Sequence, residues 1–201
     1  RPAKEAQDLQ KIVLDVFEKI QFEKDEALIK FTEKFDGVKL TSLEVSKEEI
    51  EEAKSLISEE LKQAIQLAAS NIEKFHAVQR EEVKVIETTK GVNCWRESRG
   101  IENVGIYIPG GTAPLFSTTL MLGIPAKLAG CKNIILCTPP NKSEKVHPAI
   151  LYTANLIGIE KIYKIDGIQA IGALTFGTET IQKVDKIFGP GNQYVTAAKQ
   201  V

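Results

Sequence analysis

The chain is poor in the residues on which reactive and secreted proteins rely. Its 201 residues include three cysteines, two histidines, one methionine and one tryptophan. Cys94, Cys131 and Cys137 are odd in number and lack the spacing of a metal site or a disulfide framework, so reduced thiols and a cytoplasmic setting are expected. No cysteine has the basic or helix-start neighbourhood that activates a thiol. Charge of one sign is not in excess: 26 basic against 27 acidic residues give a formal net charge of −1, which excludes a basic nucleic-acid footprint. Apolar runs are too short to span a membrane, and the first residues show no signal-peptide pattern. What remains is the composition of a globular protein, 43% hydrophobic and able to bury a core.

Glycine and proline are also scarce in the first half. Only Gly37, Gly91 and Gly100 fall within the first hundred residues, and seven of the eight prolines come later. The first part is therefore predicted to be helical and the second to be punctuated by turns. Leu9, Ile12, Val13, Val16, Phe17 and Ile20 have the spacing of an amphipathic helix. Ala27, Leu28, Phe31 and Phe35 repeat it in a second helix ending at Asp36-Gly37. Ser46 and Glu49 form a capping-box signature. A longer helix carries Leu61, Ala64, Ile65, Ala68, Ile72 and Phe75. Glu48-Glu49 and Glu51-Glu52 read as helix-surface charges rather than an acid/base pair. Val83 to Trp95, turning at Thr89-Lys90-Gly91, reads as a hairpin.

From residue 101 strands and helices alternate. Strands are predicted at 103–108, 133–138, 161–165 and 185–188, and helices at 117–129, 146–157, 168–176 and 192–201. Pro125 should kink or divide the first of these helices. The expected fold class is α/β: an incomplete Rossmann-like parallel sheet flanked by helices, preceded by a mainly helical segment with a β-hairpin. The expected division is at residue 103, with 1–103 as part of a first domain and 104–201 as a nucleotide-binding domain. The first part should then show an uncovered apolar face. Residue 1 is Arg, and the last predicted helix stops without a cap, so the chain is expected to be a piece of something longer.

In an open α/β sheet, ligands bind outside the carboxyl ends of the strands. Four loops qualify: Pro109 to Phe116, Thr138 to Lys145, Asp166 to Gln169, and Gly189 to Asn192. The first follows Val104-Gly-Ile-Tyr-Ile-Pro-Gly-Gly111, which lacks the G-x-G-x-x-G spacing of ordinary dinucleotide folds. It is a structural turn or a less common kind of cofactor loop, with a helix start nearby that would favour an anion. Tyr107, Gln169 and Asn192 would bring an aromatic face and two amides to one edge of the sheet, a set that suits a planar, hydrogen-bonding nucleotide. Each has a plainer role open to it: packing for Tyr107, exposure for Gln169 and helix capping for Asn192.

Four segments carry a family resemblance. They are Val104–Gly111, Ile124-Pro-Ala-Lys-Leu-Ala-Gly130, Gln169-Ala-Ile-Gly-Ala-Leu-Thr-Phe-Gly-Thr-Glu179 and Val184-Asp-Lys-Ile-Phe-Gly-Pro-Gly-Asn-Gln-Tyr-Val-Thr-Ala-Ala-Lys199. Together, and in this order, they resemble histidinol dehydrogenase, as do the shorter signposts Arg1-Pro2 and Lys34-Phe-Asp-Gly37. Asp166-Gly167-Ile168 departs from the family's usual Gly-Gly-Ala, and Gly100 stands where Pro is commoner. The resemblance implies an NAD-linked, zinc-dependent enzyme of histidine biosynthesis, homodimeric, that oxidises L-histidinol through L-histidinal to L-histidine. It assigns Tyr107, Gln169 and Asn192 to NAD binding. It also implies that the catalytic Glu-His pair and the zinc ligands lie beyond Val201, so no catalytic or metal residue is expected here; His76 and His147 match neither. Pro109 and Pro190 would shape the nucleotide groove.

Two other readings compete. One is a standalone nucleotide-binding module without catalysis. The other is a dehydrogenase with a covalent cysteine, as in aldehyde dehydrogenases, but Cys131 and Cys137 flank a predicted strand instead of sitting in a glycine-rich loop.

Overall fold

A computed structural model describes residues 3–111 and 113–201, with side chains from residue 8 onward. Arg1-Pro2 and Thr112 of the glycine-rich loop lie outside the described residues. Helix α1 (Ala3–Glu23) turns Val13, Val16, Phe17 and Ile20 inward and leaves Ile12 exposed. Helix α2 (Asp25–Phe31) runs on through one π-helical turn, 32–36, and stops at Gly37, whose φ of 66° is the left-handed conformation that ends helices. The π turn rotates Phe35 out of the helical stripe. It is exposed, stacked on Phe31 at 5.4 Å between ring centroids.

Both halves of the capping box form at the start of α3 (Lys47–Ala53): Glu49 N–H donates to Ser46 Oγ, and Ser46 N–H donates to Glu49 Oε2. Ser58 caps α4 (Glu59–Ala77). Only Ile65 of its stripe is fully buried, while Ala64 and Phe75 are exposed. Strands β1 (Ile86–Thr89) and β2 (Val92–Cys94) make the antiparallel hairpin, exposed throughout.

The main sheet contains β3 (Asn103–Tyr107), β4 (Asn133–Thr138), β5 (Lys161–Lys164) and β6 (Lys186–Phe188), all parallel, in the order β5-β4-β3-β6. Helices α5 (Phe116–Leu128) and α6 (Pro148–Leu156) link the first three strands. Helix α7 (Gly167–Phe176) leads from β5 to β6, and α8 (Gln193–Gln200) follows β6. Pro125 does not divide α5. It lies in the last turn, and the carbonyl its missing N–H would have served belongs to Met121, an exposed residue whose backbone can meet water.

Alternate residues of the strands face two cores. On one face Tyr107, Ile135, Cys137 and Tyr163 meet Ile168, Ile171 and Leu174 of α7 and Val195 of α8. The same cluster contains Val13, Phe17 and Ile20 of α1 and Leu28 and Phe31 of α2. On the other face Val104, Ile106 and Leu136 meet Ile150 and Ala154 of α6, with Ile50 and Ala53 of α3. Residues 43–45 also close the β5 edge: Val45 N–H donates to Ile162 O, and Lys164 N–H to Leu43 O.

The division expected at residue 103 therefore does not coincide with a break in the core. Residues 13–57 are part of the layers around the sheet. The part that stands out from those layers is the far end of α4 with the hairpin, where Leu67, Phe75, Val78, Val85, Ile86 and Trp95 are exposed.

One ion pair locks this arrangement. Lys164 Nζ lies 2.9 Å from Glu49 Oε2, with side chains 8% and 18% exposed. Glu49 is thus not the surface charge that its helical spacing suggests. Removing one member of a buried pair strands the other charge, at a cost of about 3–5 kcal/mol. Glu49→Ala should lose stability on that scale in chemical denaturation, and adding Lys164→Met should recover most of it. A loss below about 1 kcal/mol, the range of an exposed pair, would contradict this.

Candidate functional site

The order β5-β4-β3-β6 reverses at β3. Successive strands step one way from β3 to β4 and β5, and then β6 returns to its other side. The carboxyl ends of β3 and β6 therefore form a topological switch point, the place where open α/β sheets take their ligands. Tyr107 ends β3 on one side of it, and Gly189-Pro-Gly-Asn192 follows β6 on the other. The two sides touch: Gly189 has a φ of 143°, and a β-carbon there would collide with the carbonyl oxygen of Tyr107. Only glycine meets both demands.

Tyr107 is held from below. Its ring is in the core, 1% exposed, and its hydroxyl donates to Asp166 Oδ1. The phenol oxygen of Tyr107 in turn accepts from Gly167 N–H at 3.3 Å. Burial first, then the charge of Asp166 and the hydrogen bond to its carboxylate, raise the phenol well above its ordinary range against a smaller opposing pull from Gly167 N–H, so it is a fixed neutral donor. The exposed aromatic face expected for a nucleotide wall is not presented. What reaches the edge from Tyr107 is its backbone and the order it imposes on Asp166-Gly167.

Gln169 sits in the first turn of α7, 2% exposed, and not on the surface. Its Nε2 donates to Asp36 Oδ2 at 3.2 Å. Asp36 comes from the π turn after α2, 133 residues away, and is steadied by Lys142, whose Nζ donates to the Asp36 carbonyl at 2.8 Å. Burial first, and the neighbouring charge of Asp166 second, push the Asp36 carboxyl up to about 6, against a smaller opposing pull from Lys142. Asn192 is the N-cap of α8, its Oδ1 accepting from Tyr194 N–H at 2.9 Å and Val195 N–H at 3.1 Å. The structure thus sets the Tyr107–Asp166 and Gln169–Asp36 pairs near each other, close enough for the charge of Asp166 to raise the Asp36 carboxyl. Asn192 follows β6 on the other side of the switch point and is occupied with its own helix.

Asp36 and Lys142 have no site signal in spacing. Asp36 lies in the Lys-Phe-Asp-Gly signpost, but nothing local in sequence ties it to Gln169. At the end of β4, Thr138 adds a buried hydroxyl with no hydrogen-bond partner. Buried polar groups are nearly always paired, so an unpaired one at this edge fits a polar ligand or water there. The residues do not fit zinc: among the described residues no three His, Cys, Asp or Glu converge. His147 caps α6 through Nδ1, and His76 bonds Gln79. Burial pushes the Cys137 thiol far up, which removes it as a nucleophile.

By its fold and this edge, the chain is a doubly wound α/β protein of the kind that takes ligands at a reversal of strand order. More narrowly, it belongs to the histidinol dehydrogenase family, whose model matches residues 1–201. It is 56% identical over all 201 residues to histidinol dehydrogenase of Bacteroides thetaiotaomicron, covering 47% of that protein. The relative from Mannheimia succiniciproducens is 59% identical over 176 residues, 88% of this chain and 40% of its own length. The crystal structure of histidinol dehydrogenase from Elizabethkingia anophelis superposes on the whole chain with a TM-score of 0.93 at 67% identity, and the match spans 49% of that chain. The chain spans about half the length of the curated relatives it matches.

The raised Asp36 carboxyl has a consequence for stability. An acid whose folded pKa of about 6 exceeds its ordinary 3.8 binds more protons folded than unfolded between those values. Its contribution is most favourable below that window, declines as pH rises through it and is flat above. Asp36→Asn should therefore gain stability relative to the parent between about pH 4 and about pH 6. Thermal melts across that range check this; a difference independent of pH would contradict it.

Proposed function

We propose that these 201 residues are the nucleotide-binding half of a histidinol dehydrogenase, which oxidises L-histidinol through L-histidinal to L-histidine with NAD. The observation that carries the reading is the reversal of strand order between β3 and β6, flanked by Tyr107 and Asn192, in a chain of this family. NAD, when bound, supplies the hydride acceptor. The chain's part is to build its bed. Tyr107 fixes the Asp166-Gly167 turn, Gln169 offers its amide at the head of α7, and Asn192 keeps the α8 start in shape beside Gly189-Pro190. Pro109 and Pro190 narrow the loops on either side.

Zinc and the general acid/base groups would come from outside these residues, as would the second subunit of a homodimer working in the cytoplasm. Residues 104–201 are the nucleotide-binding unit in this reading, with 1–103 contributing to a first domain through the exposed end of α4 and the hairpin.

The isolated chain, given histidinol, NAD and zinc, should show no turnover above background. Turnover would place the chemistry within residues 1–201 and contradict the reading. By calorimetry NAD should bind weakly, and Asn192→Ala should weaken it further by loosening the α8 start, a cap worth about 1 kcal/mol. Unchanged affinity in that variant would remove Asn192 from the site.

A further inference from the structure

The carboxyl edge contains a titratable group that the nucleotide reading does not use. Asp36 is brought to Gln169 from the far end of the chain, and its contact is with the amide nitrogen, not the oxygen. A carboxylate can only accept hydrogen bonds, so it binds the NH2 end of a glutamine and turns the carbonyl end away. In this structure Gln169 Oε1 lies over the open side of Gly167, 3.4 Å from where a β-carbon would be. That side is the β5–α7 turn at the ligand edge. Lys142 holds the backbone of Asp36, so the acceptor is anchored rather than free to follow the amide.

We propose that Asp36 is the positioning residue for Gln169, fixing the amide so that its carbonyl oxygen is what this edge offers to a donor on the nucleotide, a ribose hydroxyl or an exocyclic amine. This rests on the reading of the edge as an NAD site. The device depends on the protonation state of Asp36. A neutral carboxyl can donate, and it then pairs as well with Oε1 as with Nε2, so the amide loses its fixed sense. The groups facing Asp36 are Lys142 from the β4–α6 loop, Asp166 at the head of α7 and Tyr107 of β3. On its own turn Glu33 and Lys34 are exposed.

The test uses the 201-residue chain and its Asp36→Asn variant, with two readouts. The first is the side-chain amide resonance pair of Gln169 followed by NMR against pH. In the parent it should titrate with a midpoint near 6, and in Asp36→Asn it should not. The second is the NAD dissociation constant at about pH 7.5 and about pH 5. In the parent it should rise about twofold, as the fraction with the amide correctly turned falls toward one half. In Asp36→Asn it should change little. The variant keeps His76 and His147, so a profile arising from them would survive in it.

If NAD binds and both proteins share one pH profile, the proposal is overturned and the site reading stands. If NAD binds neither protein, the site reading fails. The Gln169 resonances then decide the positioning: titration with Asp36 upholds it, and indifference to pH overturns it.

Discussion

The hydrogen bond from the Tyr107 hydroxyl to Asp166 is the constraint on which the carboxyl edge depends. A buried phenol must find a partner or forfeit about 1–3 kcal/mol. By taking Asp166 and Gly167 as its partners, Tyr107 sets where α7 begins. That start places Gln169 in the first turn, under the reach of Asp36. One side chain thus couples the end of β3 to the turn after β5, across β4. The backbone of the same residue is the surface against which Gly189 packs on the β6 side.

The second half of the support comes from the N-terminal segment. Helices α1 and α2 cover α7, α3 covers α6, and residues 43–45 pair with the outer edge of β5. The Lys164–Glu49 pair joins α3 to that edge. The contact of Asp36 with Gln169 joins the turn after α2 to the head of α7. A chain that spans about half the length of its curated relatives holds such an edge because its helical arm supplies packing on both faces. A group of exposed apolar residues stands away from this edge, on the far end of α4 and the hairpin.

Much of this was legible in sequence, for a physical reason. The 3.6-residue periods of α1 and α2, the Ser46/Glu49 box and the strand–helix alternation after residue 101 are local patterns, and local patterns fix local structure. The placement of Tyr107, Gln169 and Asn192 at strand ends followed from that alternation alone. What was not legible depends on contacts between distant residues. Nothing near Asp36 reveals Gln169, and nothing near Glu49 reveals Lys164. The burial of Tyr107 and Gln169 could not be read from their own neighbours, because the helices that cover them lie early in the chain. The π turn at 32–36, which moves Phe35 outward and Asp36 inward, breaks the period that the sequence suggests.

In the proposed function, the reversal of strand order at β3, ordered by Tyr107, makes the nucleotide bed. Backbone amide shifts mapped as NAD is added to the 201-residue chain test this. Shifts confined to residues 109–115, 166–169 and 189–192 are expected. Shifts centred on α4, the hairpin or the groove between α1 and α8, with those three loops silent, would contradict it.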